Sequence, residues 1–193
     1  SFKLALAAGA DMAELDYHHA KDGQVIVIHD PELDRTTDAT NHWNQQHIKV
    51  ESKSTGEIQS LDGGSWFDAK YAGTKIPTLI EALDVIQDGG VKLIEHKEAD
   101  ATTCVKLLRE KNLVNKVIVQ AFDWQYLREF HEEEPAQVLG ALGPPKVLAD
   151  GTKPGKDRPK DLNAAWLDDL QKTGAKAVVW SQQVSKKAVQ EAH

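Results

Sequence analysis

The chain has 193 residues, 40% of them hydrophobic, which is ample for the core of about one globular domain. A net charge of −7 and an isoelectric point near 5.6 argue against a nucleic-acid backbone as partner, because such binders carry a basic patch. No apolar run reaches the roughly 18 residues of a membrane span, and the one cysteine, Cys104, excludes an internal disulfide while leaving the compartment open.

Residues 2–8 read as a short apolar helix closed by Gly9, which suits a left-handed cap. The start lies inside that helix, with no initiator methionine or signal segment, so it gives no targeting and the choice between cytoplasm and periplasm or exterior stays open. Over 12–17, apolar and acidic residues alternate, which predicts a strand with Glu14 and Asp16 on one face. The β-branched run 25–28 predicts a second strand. Between them lies Lys21-Asp22-Gly23, a strong hairpin signal, and the gap is too short for a parallel crossover.

A turn centred on Asp22 and Gly23 would set Asp16 opposite His29, with Glu14 one step along the same face. Two hard-oxygen donors beside an imidazole suit a divalent cation such as Mg²⁺ or Ca²⁺ next to a proton-transfer group. The same residues also describe a solvated strand face followed by a capped or ion-paired His-Asp. Their convergence about one turn favours the site. His18 and His19 flank the turn and are expected in solvent, as are His42 and His47 further on.

Asp30-Pro31 closes the strand, because proline cannot extend a ladder. Residues 36–75 lose periodicity and carry Trp43, Trp66, Phe67 and Tyr71, which predicts a partly ordered insertion over the site. Packing is the expected use of these rings; Trp66 or Phe67 is the choice if one meets substrate. Thr78 caps a helix over 79–87 with Glu81 as capping-box partner, and Gly89-Gly90 ends it. The strand over 91–96 puts Leu93, Glu95 and Lys97 on one face, either as a surface ion pair or as a metal ligand beside an anion-binding cation.

Helix and strand then alternate: helix 100–111 with Cys104 in its core face, strand 117–120, helix 124–132, strand 137–142, helix 161–172, strand 177–180, and a helix from Ser185. Residues 143–160, rich in proline and glycine, read as an irregular loop whose Lys146, Lys153 and Lys156 either attract an anionic substrate or, the favoured reading, are simply solvated. Such alternation predicts a mainly parallel α/β sheet. His29, Glu95 and Gln120 fall at the carboxyl ends of their strands, the rim that carries chemistry in a TIM-type (β/α)₈ barrel.

The text GAD-x-x-E-L-D, then K-D-G, V-I-V-I-H-D and Leu33-Asp34-Arg35-Thr36-Thr37, resembles the glycerophosphodiester phosphodiesterase family. Leu61-Asp62-Gly63-Gly64-Ser65-Trp66-Phe67 is similar to that family's insertion, and Leu93-Ile94-Glu95-His96-Lys97 to a strand where an acid completes the metal site and a lysine lies near the phosphate. The resemblance implies a TIM-type barrel, incomplete here at both ends, in which 1–193 form a single partial domain including the insertion 36–75.

It further implies metal-dependent hydrolysis of a small-molecule glycerophosphodiester to an alcohol and glycerol 3-phosphate. Glu14, Asp16 and Glu95 would hold Mg²⁺ or Ca²⁺, Lys97 would bind substrate, and His29 would be one of two catalytic histidines on opposite sides of the phosphorus. The partner histidine, in a His-Arg pair on the family's first strand, has no match in this chain. Two alternatives stand beside it: a related barrel phospholipase acting on intact lipids, and a phosphate-binding module without turnover. Arg35 either anchors its loop or reaches the phosphate. The assembly state is not read from the sequence.

Overall fold

The structure is a computed structural model that describes residues 2–86, 90–98 and 100–193. The chain forms two compact units: Ser1–Lys92 with Lys97–Ala99, and Leu93–His96 with Asp100–His193.

In the first unit, helix α1 (Phe2–Ala7) is stopped by Gly9, whose φ of +89° lies in the left-handed region and whose amide returns to the Leu6 carbonyl at 3.0 Å. Strand β1 (Met12–His19) and strand β2 (Val25–Val27) pair antiparallel, with Tyr17 across from Val27 and His19 across from Val25. The hairpin is as expected but its register is shifted by one residue. Gly23 N bonds Ala20 O at 2.9 Å and Ala20 N bonds Gln24 O at 2.8 Å, which leaves residues 21–23 as a three-residue loop.

A two-residue type I′ turn needs two left-handed residues, and here only Gly23 adopts that conformation, at φ +79°. The turn is therefore the type I form closed by a left-handed glycine. Asp16 consequently pairs across from Ile28, whose amide bonds Asp16 O at 3.1 Å, and not across from His29. A second correction follows from the same ladder. Because β1 runs on to His19, His18 is only 3% exposed and His19 is half-buried, so neither is a solvent-facing turn residue. His42 and His47 do stand exposed.

The insertion contains helices α2 (Ala39–Trp43) and α3 (Thr55–Gln59) and shares its core with the hairpin. Ile26, Ile28, Leu33, Ile48, Ile58 and Leu61 pack as one buried cluster, so this segment is part of the unit and not a detached lid. Helix α3 has a complete Ser54–Glu57 capping box and is tied to the hairpin turn through Thr55, whose amide and hydroxyl both bond the Asp22 carboxylate. Helix α4 (Leu79–Ile86) begins with the expected Thr78–Glu81 capping box. The expected helix end at Gln87 and Gly89 lies outside the described residues.

Strand β3 (Val91–His96) matches its expected span. Its flanks belong to the first unit: Val91 N bonds Asp11 O at 2.9 Å and Lys97 N bonds Tyr17 O at 3.3 Å. In the second unit β3 continues a parallel set with β4 (Ile118–Ala121), β5 (Leu139–Gly143) and β6 (Ala177–Trp180). Helices α5 (Ala101–Glu110), α6 (Trp124–Glu133) and α7 (Ala164–Gln171) fill the connections, and α8 (Lys186–Ala192) follows β6.

Neighbouring strands here follow sequence order with no reversal, as in barrel winding; a doubly wound sheet switches direction at its centre. The fold class is α/β, of the TIM-barrel type. Asp100 and Asp123 cap α5 and α6 by accepting from Thr103 N at 2.9 Å and Tyr126 N at 3.0 Å. Helix α7 starts later than expected because Asn163, not Asp161, is its cap.

Cys104 is fully buried in α5, as its spacing predicts. The irregular loop before α7 is pinned by indole donors: Trp166 Nε1 and Trp180 Nε1 bond the carbonyls of Pro159 and Lys160, each at 2.8 Å. Among the described residues, no helix is long and apolar enough to cross a membrane.

Candidate active site

Alternation along β1 sorts its residues into two sets. Ala13, Leu15 and Tyr17 are buried, while Glu14 and Asp16 project to the other side. The two carboxylates offer oxygens within 4.8 Å of each other. Lys97 Nζ lies 2.9 Å from Asp16 Oδ1, and both side chains are mostly shielded from solvent. The strand-end lysine, read from the sequence as the companion of Glu95, is thus paired within the first unit with Asp16, a contact the sequence did not indicate.

Glu14 and Asp16 line a cleft of about 500 Å³ together with His29, Arg35 and Trp66. Despite the shifted register His29 reaches this cleft, because β2 ends at Val27 and the chain bends at 29–30. Its ring is open, with a side chain 65% exposed. His29 Nδ1 donates to Asp30 Oδ1 at 2.7 Å. A carboxylate only accepts, so the proton sits on Nδ1 and the lone pair of a neutral ring is on Nε2.

Asp30 is gripped from its other side by Arg35, through Nε to Oδ2 at 2.5 Å and Nη2 to Oδ1 at 3.0 Å. That two-pronged pair answers the question left open for Arg35: in this structure it anchors the loop through Asp30. The Arg35 hydrogen bond, reinforced by the one from His29, holds the Asp30 carboxyl down at about 2. Asp30 is therefore ionised at neutral pH.

Because its folded value lies below the ordinary 3.8, Asp30 favours the folded arrangement above about pH 4, and that contribution fades as pH falls toward 2. A carboxyl ¹³C titration of Asp30 should accordingly show an unchanged Arg35–Asp30–His29 clamp from pH 7 to 4 and its release below. A midpoint at the ordinary aspartate value would contradict the clamp.

Trp66 reaches the cleft from the insertion, with its Nε1 on Gly63 O at 3.1 Å and the Arg35 guanidinium 5.9 Å from its ring. Phe67, the other aromatic singled out, is 69% exposed and lies edge-on to Trp66 at 5.8 Å. The loop bearing them turns on Asp62, whose carboxylate accepts from Gly64 N, Ser65 N and Ser65 Oγ. Those bonds, the Ser65 hydroxyl's first, hold Asp62 well below the usual carboxylate range. A Cβ on Gly64 would overlap the Tyr71 carbonyl, so this turn requires glycine.

Glu95 lies in the second unit, on β3, buried and in register with Gln120 of β4. Two residues relevant to the site escaped the sequence reading. Asp30 read equally as a cap or an ion pair, and its D-x-x-x-x-R spacing to Arg35 was the available signal. His18 was misplaced with the turn. The hard oxygens of Glu14 and Asp16, next to a lysine that balances charge, fit a hard divalent cation such as Mg²⁺ or Ca²⁺ in chemical type.

Residues 1–166 match the model of the glycerophosphoryl diester phosphodiesterase family. A glycerophosphodiester phosphodiesterase of Caldanaerobacter subterraneus subsp. tengcongensis is 34% identical, over 74% of this chain and 58% of its own. The crystal structure of a glycerophosphodiester phosphodiesterase from Agrobacterium tumefaciens superposes with a TM-score of 0.62 at 30% identity, covering 72% of this chain and 56% of that one. An Oleispira antarctica phosphodiesterase shares the fold over 98% of this chain and 80% of its own, with a TM-score of 0.67 at 21% identity. The chain spans about half the length of the curated relatives it matches, 58% and 50% of the first two.

Proposed function

Because the chain belongs to the glycerophosphoryl diester phosphodiesterase family, we propose that it hydrolyses glycerophosphodiesters to an alcohol and glycerol 3-phosphate, as a phosphoric diester hydrolase. Glu14, Asp16 and Glu95 hold a divalent cation, Mg²⁺ or Ca²⁺, Lys97 binds the phosphate, and His29 is a catalytic residue. The observation that carries the reading is the first unit's cleft, where two carboxylates share a wall with an exposed imidazole oriented by a carboxylate.

Support for Glu95 comes through chain connectivity. Val91 N and Lys97 N bond the carbonyls of Asp11 and Tyr17, and Lys97 Nζ reaches Asp16. Glu95 precedes Lys97 by two residues, a distance of about 7 Å along a strand and on the same side of its pleat.

When bound, the cation supplies Lewis-acid polarisation of a phosphoryl oxygen and a hold on the glycerol hydroxyls. Lys97, whose ammonium lies 2.9 Å from Asp16 Oδ1, would offset negative charge on the phosphoryl oxygens. Proton transfer occurs at His29 Nε2, since Nδ1 is committed to Asp30. Asp30 holds the ring's tautomer and stabilises the imidazolium, and Arg35 keeps Asp30 ionised and in place. One imidazole cannot give and accept a proton at the same moment, so a second group must complete the cycle. Trp66 forms an apolar wall of the cleft.

The test is hydrolysis of glycerophosphocholine, with and without EDTA, by this chain and by a longer version carrying the length its curated relatives have. Loss of activity on chelation and recovery with Mg²⁺ or Ca²⁺ is expected. Turnover insensitive to EDTA would refute the cation's role, and tight binding without cleavage by the longer version would point to a phosphate-binding module. Cleavage of an intact phospholipid in preference to glycerophosphocholine would make it a phospholipase.

A further inference from the structure

We propose that His18 is a positioning residue that fixes the main chain at His29, an inference that rests on the hydrolase reading above. His18 shares the β1 face of Glu14 and Asp16, yet it is 3% exposed and does not line the cleft with them. Its Nε2 lies 3.2 Å from the His29 carbonyl oxygen. A carbonyl only accepts, so Nε2 is the donor. On the other side of the ring Glu98 Oε2 is 3.7 Å from Nδ1, beyond direct hydrogen-bonding reach, and among the described residues Nδ1 has no hydrogen-bond partner. The Nε2 bond is what anchors this buried ring.

The place of that bond gives it its use. Ile28 N to Asp16 O, at 3.1 Å, continues the hairpin ladder one step past β2, and at the next residue the chain bends away toward Asp30-Pro31. A bend at a strand end is where a backbone drifts most readily, because the ladder no longer holds it. His18 takes over the restraint at that residue. His29 is then held twice: its ring by Asp30 at 2.7 Å and its backbone by His18. Both restraints bear on where Nε2 of His29 stands relative to Glu14 and Asp16, and His18 sits on the same strand as those two acids. Strand β1 thereby sets the distance between the carboxylates and the proton-transfer group without His18 touching substrate.

The experiment compares His18→Leu with His18→Gln in the full chain, reading glycerophosphocholine kinetics, thermal midpoint and the ¹H–¹⁵N signals of the His29 imidazole. Misplacement of a reacting group by about 1 Å costs up to about 100-fold, so His18→Leu should lower kcat at least about tenfold with KM and midpoint little changed, and should shift the His29 signals. Glutamine keeps an Nε2 donor of similar reach and should restore kcat to within about threefold, with wild-type His29 signals.

Wild-type kcat and His29 signals in His18→Leu would overturn the proposal, as would a glutamine variant as impaired as the leucine one. Should His18→Leu not fold, His18→Met, unbranched and accommodating in a packed site, takes its place under the same criteria. If neither this chain nor the longer version cleaves a glycerophosphodiester, the hydrolase reading fails by itself. The imidazole signals then decide the positioning role alone: moved by leucine and restored by glutamine supports it, unmoved overturns it.

Discussion

Replacing His29 by alanine should lower kcat for glycerophosphodiester hydrolysis by about 10²–10⁴-fold, the usual contribution of a positioned proton-transfer group. The fold should survive, because the side chain is 65% exposed and its hydrogen bond to Asp30 is at the surface. Asp30 keeps its Arg35 partner in the variant, so the 30–35 loop stays tied. KM should change little if the phosphate is held by other groups. Steady-state kinetics with a circular dichroism melt checks both halves. Unchanged kcat would remove His29 from the chemistry, while a collapsed melt would mean that its role is structural.

Trp124→Ala should destabilise the second unit by about 3–5 kcal/mol, the range for deleting a large buried aromatic. Trp124 is fully buried at the first turn of α6, packed against Trp166 at 6.0 Å and Trp180 at 6.4 Å between ring centroids. Its Nε1 donates to the Leu142 carbonyl at 2.9 Å, which ties α6 to β5. Deletion loses the buried area and the contacts around it, and it also strips a buried carbonyl of a donor. Trp124→Phe should cost less, about 1–3 kcal/mol, since it retains most of the apolar surface and forfeits mainly the hydrogen bond. Denaturant unfolding measures both. Equal losses would show that the hydrogen bond, not the packing, carries the effect.

The elements were legible in the sequence wherever a local signal was complete. The span of β3, the capping box of α4, the caps at Asp100 and Ser185, and the glycine stop after α1 depend on residues within a few positions of one another. The hairpin shows the limit of that locality. Asp22-Gly23 correctly signalled a reversal, but whether one or two residues adopt the left-handed conformation sets the register, and dipeptide identity alone leaves both open. One residue of slip moved Asp16 from His29 to Ile28, and the longer ladder drew His18 into the interior.

By itself, then, the sequence determined the alternation of strand and helix, the common face of Glu14 and Asp16, the burial of Cys104, and a family likeness strong enough to nominate Glu95, Lys97 and His29. Periodicity and capping act through neighbours along the chain, which is why these could be read directly. Only the tertiary structure decided that Lys97 meets Asp16, that Arg35 spends its guanidinium on Asp30, and that the insertion shares a core with the hairpin. Those contacts join residues brought together by packing, and the distance between two side chains in space is not encoded in their separation along the chain.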